Sequence, residues 1–310
     1  MVDLDQHLAA TSRTFALSIP QLADPPRREV SVAYLLLRIA DTLEDATRWP
    51  RRERLDALGR FAALMRQPSQ ASAAECVRGW LESPPCDHQG YLELLRETPE
   101  LLAELERFPR ARREAVVAHT VRTCEGMARF IEQADEAGNL RLGSLQELQG
   151  YCYVVAGIVG ELLTDLLVDV SAEAAGVEPQ LRQRERAFGE GLQLVNILKD
   201  ASSDAGDGRV YLPPGVSREE ILGLARADLV AASEYVLALH GAGAPRGMLG
   251  FTALPVLLAR AALDELERHG PGSKVSRPAV AALMARLKSD LDAGAAPLAL
   301  DGARERARTP

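Results

Sequence analysis

Aromatic side chains are scarce, only 5% of the 310 residues, and the four cysteines, Cys76, Cys86, Cys124 and Cys152, show no C-x-x-C spacing. The first shortage argues against β-sheet, whose strands favour aromatic and β-branched residues. The second excludes a zinc ribbon or a disulfide framework and suits a reducing compartment. Positive charge is also short: 36 Lys and Arg stand against 44 Asp and Glu, a formal net charge of −8. Such a surface offers no general platform for a phosphodiester backbone, and the arginines at 110–113 and 182–186 alternate with apolar or acidic residues, so nucleic acid is not an expected partner. No run of ~18 apolar residues is present to form a transmembrane segment, which limits any expected membrane contact to the periphery. The opening MVDLDQHLAA carries acidic side chains and no apolar core, so a cytoplasmic location is expected, with no secretory signal. The histidines His7, His88, His119, His240 and His269 are scattered and gain no assigned role. The glycines at 241–247 and 270–272 lack the strand-turn-helix setting of a dinucleotide fingerprint.

What is abundant is Ala, Leu, Glu and Arg, the composition of helices. Apolar residues recur at helical spacing in blocks separated by turn chemistry, which predicts an all-α fold of roughly ten helices. The first is expected to reach about Ile19 and end at Pro20, the second to start after Pro25-Pro26 and run to about Thr47, and the next to open at Pro50. Ser144 with Glu147 and Ser217 with Glu220 have the spacing of capping boxes. Without an internal linker or repeat, residues 1–290 read as one domain. Residues 291–310, mixing Gly, Pro and charge without apolar periodicity, read as a mobile tail.

Two segments carry chemistry. Between Val30 and Asp45 a helix that is apolar nearly all round is interrupted by Arg38, Asp41 and Asp45 at i, i+3 and i+7, a single stripe. Between Phe188 and Asp204 the pattern returns, with Gln193, Asn196, Asp200 and Asp204 at i, i+3, i+7 and i+11. A lone Asp-x-x-x-Asp pair on a helix is commonly a solvated face. Two pairs on apolar helices, each aligned with other polar groups, predict a cavity in which four carboxylates hold magnesium and a diphosphate supplies the remaining oxygen ligands. Arg38, Lys199 and Arg209 would neutralise charge on the leaving group. A third segment, from Tyr151 to Leu163, crowds Ala156, Gly157 and Gly160 into a helix interior, which serves either close helix packing or room for a long ligand. As a regular helix it would align Tyr151, Val155, Ile158 and Leu162 on one face. The apolar stretch 250–263, with Pro255, is expected to pack beside the cavity.

In order and spacing, four motifs resemble the squalene and phytoene synthase family of head-to-head prenyltransferases: Ser12-Arg-Thr-Phe15, Asp41-Thr-Leu-Glu-Asp45, the run from Tyr151 to Gly160, and the run from Gln193 through Asp200 and Asp204 to Gly208-Arg-Val-Tyr-Leu-Pro213. The resemblance covers about residues 8 to 290. It implies an isoprenoid-synthase helical bundle with a central cavity. Magnesium would be bound by Asp41, Asp45, Asp200 and Asp204 with Asn196, and diphosphate by Ser12, Arg13, Tyr34, Arg38, Lys199 and Arg209. Tyr151 would manage a proton, and Phe15, Val155, Gly157, Ile158, Leu162, Gln193 and Tyr211 would contact the isoprenoid. The implied reaction joins two allylic diphosphates, farnesyl diphosphate above all, through a cyclopropyl diphosphate. The product is squalene when NADPH reduces the final cation, a dehydrosqualene or phytoene skeleton when a proton is lost instead, and presqualene diphosphate when the reaction stops at the cyclopropyl stage. Asp-Thr-Leu-Glu-Asp looks like the squalene group, whereas Gly-Arg-Val-Tyr-Leu-Pro is similar to bacterial phytoene and dehydrosqualene enzymes. Lys199 stands where arginine is usual, and Ser202-Ser203 departs from the family's pattern before the last aspartate. A class I terpene cyclase and a non-catalytic helical scaffold are the more distant alternatives.

Overall fold

Long helices of small and aliphatic residues can bury apolar faces only against one another, and the computed structural model, which describes residues 2–135, 138–206 and 208–298, is built almost entirely that way. Among the described residues there are sixteen α-helices. In chain order they are α1 (Leu4–Thr11), α2 (Phe15–Ser18), α3 (Pro26–Glu44), α4 (Arg51–Arg66), α5 (Gln70–Glu82), α6 (Gln89–Arg96), α7 (Thr98–Leu105), α8 (Arg110–Gln133), α9 (Leu145–Cys152), α10 (Ile158–Val170), α11 (Ala172–Gly176), α12 (Glu178–Arg182), α13 (Glu185–Gly206), α14 (Arg218–Gly241), α15 (Arg246–His269) and α16 (Arg277–Asp292). The centre is α3, buried on nearly every face, with Val32, Leu35, Leu36, Ile39, Ala40 and Leu43 all fully enclosed. Around it pack α1, α4, α7, α8 and α10, while α13 lies between α10 and the pair α14 and α15.

Three local features differ from the periodic reading. The expected first helix is broken after Thr11: the Ser12 hydroxyl accepts the Phe15 amide at 3.0 Å, turning the chain into α2 and a short 3₁₀ turn over Ile19–Gln21. Residues 153–157 form a π-helical turn joining α9 to α10. Its extra residue rotates everything after it by about 100° relative to a regular helix. Finally, two-residue strands β1 (Leu140–Arg141) and β2 (Arg209–Val210) pair in parallel, Leu140 opposite Arg209. Segments that short carry no readable alternation.

The Ser217 and Glu220 capping box is complete. At Ser144 only half of it forms, because Glu147 turns its carboxylate to the Gly143 amide at 2.6 Å instead. Of the tail expected from 291, α16 extends to Asp292, residues 292–294 are exposed and Leu298 is buried in the core; residues 299–310 lie outside the described residues. The stretches Leu145–Val170 and Arg246–His269 are long and apolar enough to cross a membrane by length and composition, but each has more than half of its most apolar window buried inside the protein. As expected, the run containing Pro255 is core, with Leu249, Phe251, Leu254 and Val256 all buried.

Candidate active site

The backbone approach that shapes the site is made by glycines. A Cβ on Gly189 would lie 1.9 Å from the Ala156 carbonyl oxygen, and one on Gly160 would lie 1.9 Å from the Glu185 carbonyl oxygen. Only hydrogen at these Cα atoms lets α13 sit directly on the π-turn and α10. From outside, Tyr153 pins the same turn: its hydroxyl donates to Glu161 at 3.1 Å, Arg122 bonds that hydroxyl, and the Arg186 guanidinium lies 4.2 Å from its ring centroid.

Between α3, α8, the π-turn and α13 lies a cavity of about 270 Å³. Its polar end is formed by Arg38, Asp41, Glu44 and Asp45 from α3 and by Gln193 and Asn196 from α13; its apolar walls include Phe15, Met127, Val155, Val159, Leu163 and Phe188. The two polar stripes therefore face the same hollow. A narrow, wholly apolar annex of about 20 Å³ continues past Tyr34 and Leu163 toward Ile19, Leu162 and Phe251.

At the polar end Arg38 is fixed by its Nη1 against Asp41 at 3.0 Å and by its Nη2 donating to the Tyr34 hydroxyl at 2.7 Å, while Tyr34 packs on Phe15 with ring centroids 5.0 Å apart. Strand β2 delivers Arg209 to an ion pair with Asp45. Two guanidinium nitrogens, Arg38 Nε and Arg209 Nη2, are buried with no hydrogen-bond partner in the protein. Buried donors usually have acceptors, and two orphaned cationic ones beside three carboxyl groups suit an anionic ligand that arrives with its own cations.

Each carboxyl group has its own environment. Burial pushes Asp41 up to about 6, against the pull of Arg38 and with the help of the Asp45 charge. Burial and the Asp45 charge hold Glu44 well above the ordinary carboxylate range. At Asp45 desolvation also works against the charge, but Arg209 and a hydrogen bond from Glu44 outweigh it and hold the group below its usual range. Below them Tyr151 and Tyr211 stack at 4.7 Å with their hydroxyls 3.0 Å apart, and Phe130 meets the Tyr151 ring edge-on at 5.2 Å. Burial raises both phenols, so they stay protonated and serve as a hydrogen-bonded pair.

Of the residues singled out in the sequence, Phe15, Tyr34, Arg38, Asp41, Asp45, Tyr151, Val155, Gln193 and Asn196 line the cavity, and Arg209 and Tyr211 join it through Asp45 and Tyr151. The others do not. Ser12 caps α2, and Arg13 is exposed. Because the π-turn shifts the phase, Ala156, Val159, Gly160 and Leu163 take the cavity face, Leu162 moves to the annex, Ile158 is buried outside the cavity lining, and Gly157 packs toward Tyr153 and Glu190. Lys199 is engaged with Asn196 at 3.1 Å and Asp200 at 3.2 Å. Asp200 and Asp204 extend the α13 stripe beyond the cavity lining. Among the described residues no three Asp, Glu, His or Cys side chains converge into a protein-only metal cage. Glu44, Thr123, Met127 and Phe188 were missed in the sequence; only Glu44, one residue before Asp45 within the acidic motif, carried a signal there.

The Squalene/phytoene synthase family model matches residues 8–220 of the chain. A squalene synthase of Mycosarcoma maydis is 29% identical over 206 residues, 66% of this chain and 34% of that protein. A probable squalene synthase of Neurospora crassa is 29% identical over 208 residues, 67% of this chain and 41% of that protein. The matched region thus spans well under half the length of these curated relatives. Among solved structures, a complex of TcSQS with the ligand E5700 superposes with a TM-score of 0.71 at 21% identity, covering 94% of this chain and 88% of that one. A dehydrosqualene synthase in complex with ligand gives 0.55 at 20% identity, covering 94% and 95%. At these identities the structural likeness is one of fold, while the family model covers more than half of the sequence: the chain belongs to the squalene/phytoene synthase family.

Proposed function

We propose that this protein is a magnesium-dependent prenyltransferase that condenses two molecules of farnesyl diphosphate head to head, through a cyclopropyl diphosphate, to squalene with NADPH as the reductant. The single observation that carries the reading is a cavity whose polar end combines the Asp41 and Asp45 stripe with Gln193 and Asn196, and whose other walls are mostly apolar, with Tyr151 among them.

Asp41, Asp45, Asn196, Asp200 and Asp204 would hold magnesium, which when bound draws electron density from the diphosphate oxygens and makes the group easier to expel. The chain's own residues do the rest. Tyr34, Arg38 and Arg209 bind the diphosphate, and the unpartnered Arg38 Nε and Arg209 Nη2 give its oxygens donors that are already desolvated. When the allylic carbon–oxygen bond breaks, the electron pair leaves with the diphosphate. Val155, Val159 and Leu163 keep water from the carbocation until the double bond of the second substrate attacks it. Loss of a proton then closes the three-membered ring. Tyr151, held by Tyr211, presents its hydroxyl at the boundary between the polar and apolar parts and steers that proton toward the departing diphosphate. The site of action is cytoplasmic, with peripheral membrane contact through which a water-insoluble product leaves.

Incubation with farnesyl diphosphate and magnesium, with and without NADPH, followed by mass spectrometry of the extract, tests this reading. Squalene formed only with NADPH is the expected result. A dehydrosqualene product insensitive to NADPH assigns the deprotonating branch instead, a specificity favoured by the Gly208-Arg-Val-Tyr-Leu-Pro213 run. A ring product from one substrate, or no product at all, contradicts it.

A further inference from the structure

The C-terminal turn of α3 carries Asp41, Glu44 and Asp45 together, and the last carbonyls of a helix have no donors of their own and form its negative pole. So much negative potential gathered in one turn calls for positive charge facing it. One buried side chain outside every motif addresses this. Arg54, on the first turn of α4 and only 5% exposed, donates from Nε to the Glu44 carbonyl oxygen at 2.8 Å and from Nη2 to the same oxygen, and its Nη2 lies 3.8 Å from the Glu44 carboxylate. Both arms of the guanidinium thus grip one backbone atom, the carbonyl immediately before Asp45.

We propose that Arg54 is a positioning residue for the acidic motif: by capping the end of α3 it fixes the backbone from which Asp45 reaches the cation and diphosphate. The inference rests on the functional reading above. Arg209 approaches the same turn from the opposite strand and binds the Asp45 side chain, so the two arginines divide the work, one holding the carboxylate and the other the backbone that carries it. Arg54 is not itself a lining residue, and its contact with the cavity wall is through Glu44 in this turn.

Calorimetric titration of the whole protein with magnesium and inorganic pyrophosphate, alongside thermal melts with and without them, separates positioning from plain stability. Partners that orient ligand-bearing groups typically contribute 10–100-fold to metal affinity. Arg54→Met is therefore expected to bind magnesium pyrophosphate at least roughly tenfold more weakly and to lose most of the melting shift that the ligand induces. Arg54→Lys, which keeps one donor and the charge, is expected to fall between. Arg112→Met removes an arginine that binds Glu29 and Asp169 far from the motif; it should lower the ligand-free melting temperature and leave pyrophosphate affinity unchanged. A folded Arg54→Met with parental affinity overturns the proposal. Should Arg54→Met not fold, Arg54→Lys decides alone: affinity reduced at least threefold with native helicity supports the assignment, and parental affinity refutes it. If the parent itself binds no magnesium pyrophosphate, the site reading fails, and this inference with it.

Discussion

Replacing Gly189 with alanine places a methyl carbon 1.9 Å from the Ala156 carbonyl oxygen, where ordinary contact begins at 3.4 Å. The obstacle is backbone on both sides, so no side-chain rotation relieves it and α13 must move away from the π-turn by about 1.5 Å. Overpacking of a well-filled interface costs about 1–3 kcal/mol, and this contact sits at the severe end. A loss near 3 kcal/mol lowers the melting temperature by roughly 5 °C or more for a protein of this size. The displacement also carries Gln193 and Asn196 away from Asp41 and Asp45. Misplacement of reacting groups by about 1 Å can cost around 10²-fold in rate, so turnover should fall far more than stability accounts for. Differential scanning calorimetry and initial rates on Gly189→Ala measure both. Gly59→Ala is the internal control: Gly59 is exposed on α4, a Cβ there meets nothing within 4 Å, and the change should stabilise by up to ~1 kcal/mol with activity unchanged. If Gly189→Ala melts and turns over like the parent, the backbone contact does not set the cavity, and the reasoning from glycine packing to site geometry is refuted.

Asp41→Asn should reduce turnover by roughly 10²–10³-fold, the scale of losing one charge-stabilising group, with circular dichroism unchanged. The same variant carries a pH signature. Asp41 sits at about 6 against an ordinary 3.8, so its stabilising contribution is complete below the ordinary value and is lost as pH rises through 6. In melts of the ligand-free protein, Asp41→Asn should therefore gain on the parent between pH 4 and pH 7; a constant difference across that range contradicts the burial argument. Proton and cation compete for the same group, so the magnesium concentration for half-maximal activity should fall as pH rises from 5 to 7. Ser217→Ala removes the hydroxyl that accepts the Glu220 amide at the start of α14, leaving the Ser217 N–H bond to the Glu220 carboxylate in place, and should cost about 1 kcal/mol, read from chemical denaturation, with kcat unchanged.

The acidic stripes were legible because a helix repeats every 3.6 residues and each interruption of an apolar surface by charge stands out against that period. Arg38, Asp41, Asp45, Gln193 and Asn196 were found in this way and do line one cavity. The same rule misplaced Ile158 and Leu162, since a π-turn adds a residue without any mark in hydropathy; the small residues Ala156, Gly157 and Gly160 signalled that something unusual happened there but not which way the phase would shift. Ser12 interrupted a helix that looked continuous because its side chain competes for the Phe15 amide. The β1 and β2 pairing, which brings Arg209 to Asp45, depends on contacts between segments far apart in sequence and left no local trace. Arg54 was invisible for the same reason: its partner is a backbone carbonyl on another helix.

Crystals grown with manganese in place of magnesium and a non-ionising thio-analogue of farnesyl diphosphate test the central claim most directly, because anomalous scattering locates the cations without reference to activity. The account predicts manganese peaks between the α3 and α13 stripes, within coordination distance of Asp41 or Asp45 and of the diphosphate, with the prenyl chain running toward Tyr151. Cations bound elsewhere on the surface, or a diphosphate seated away from both stripes, would contradict it.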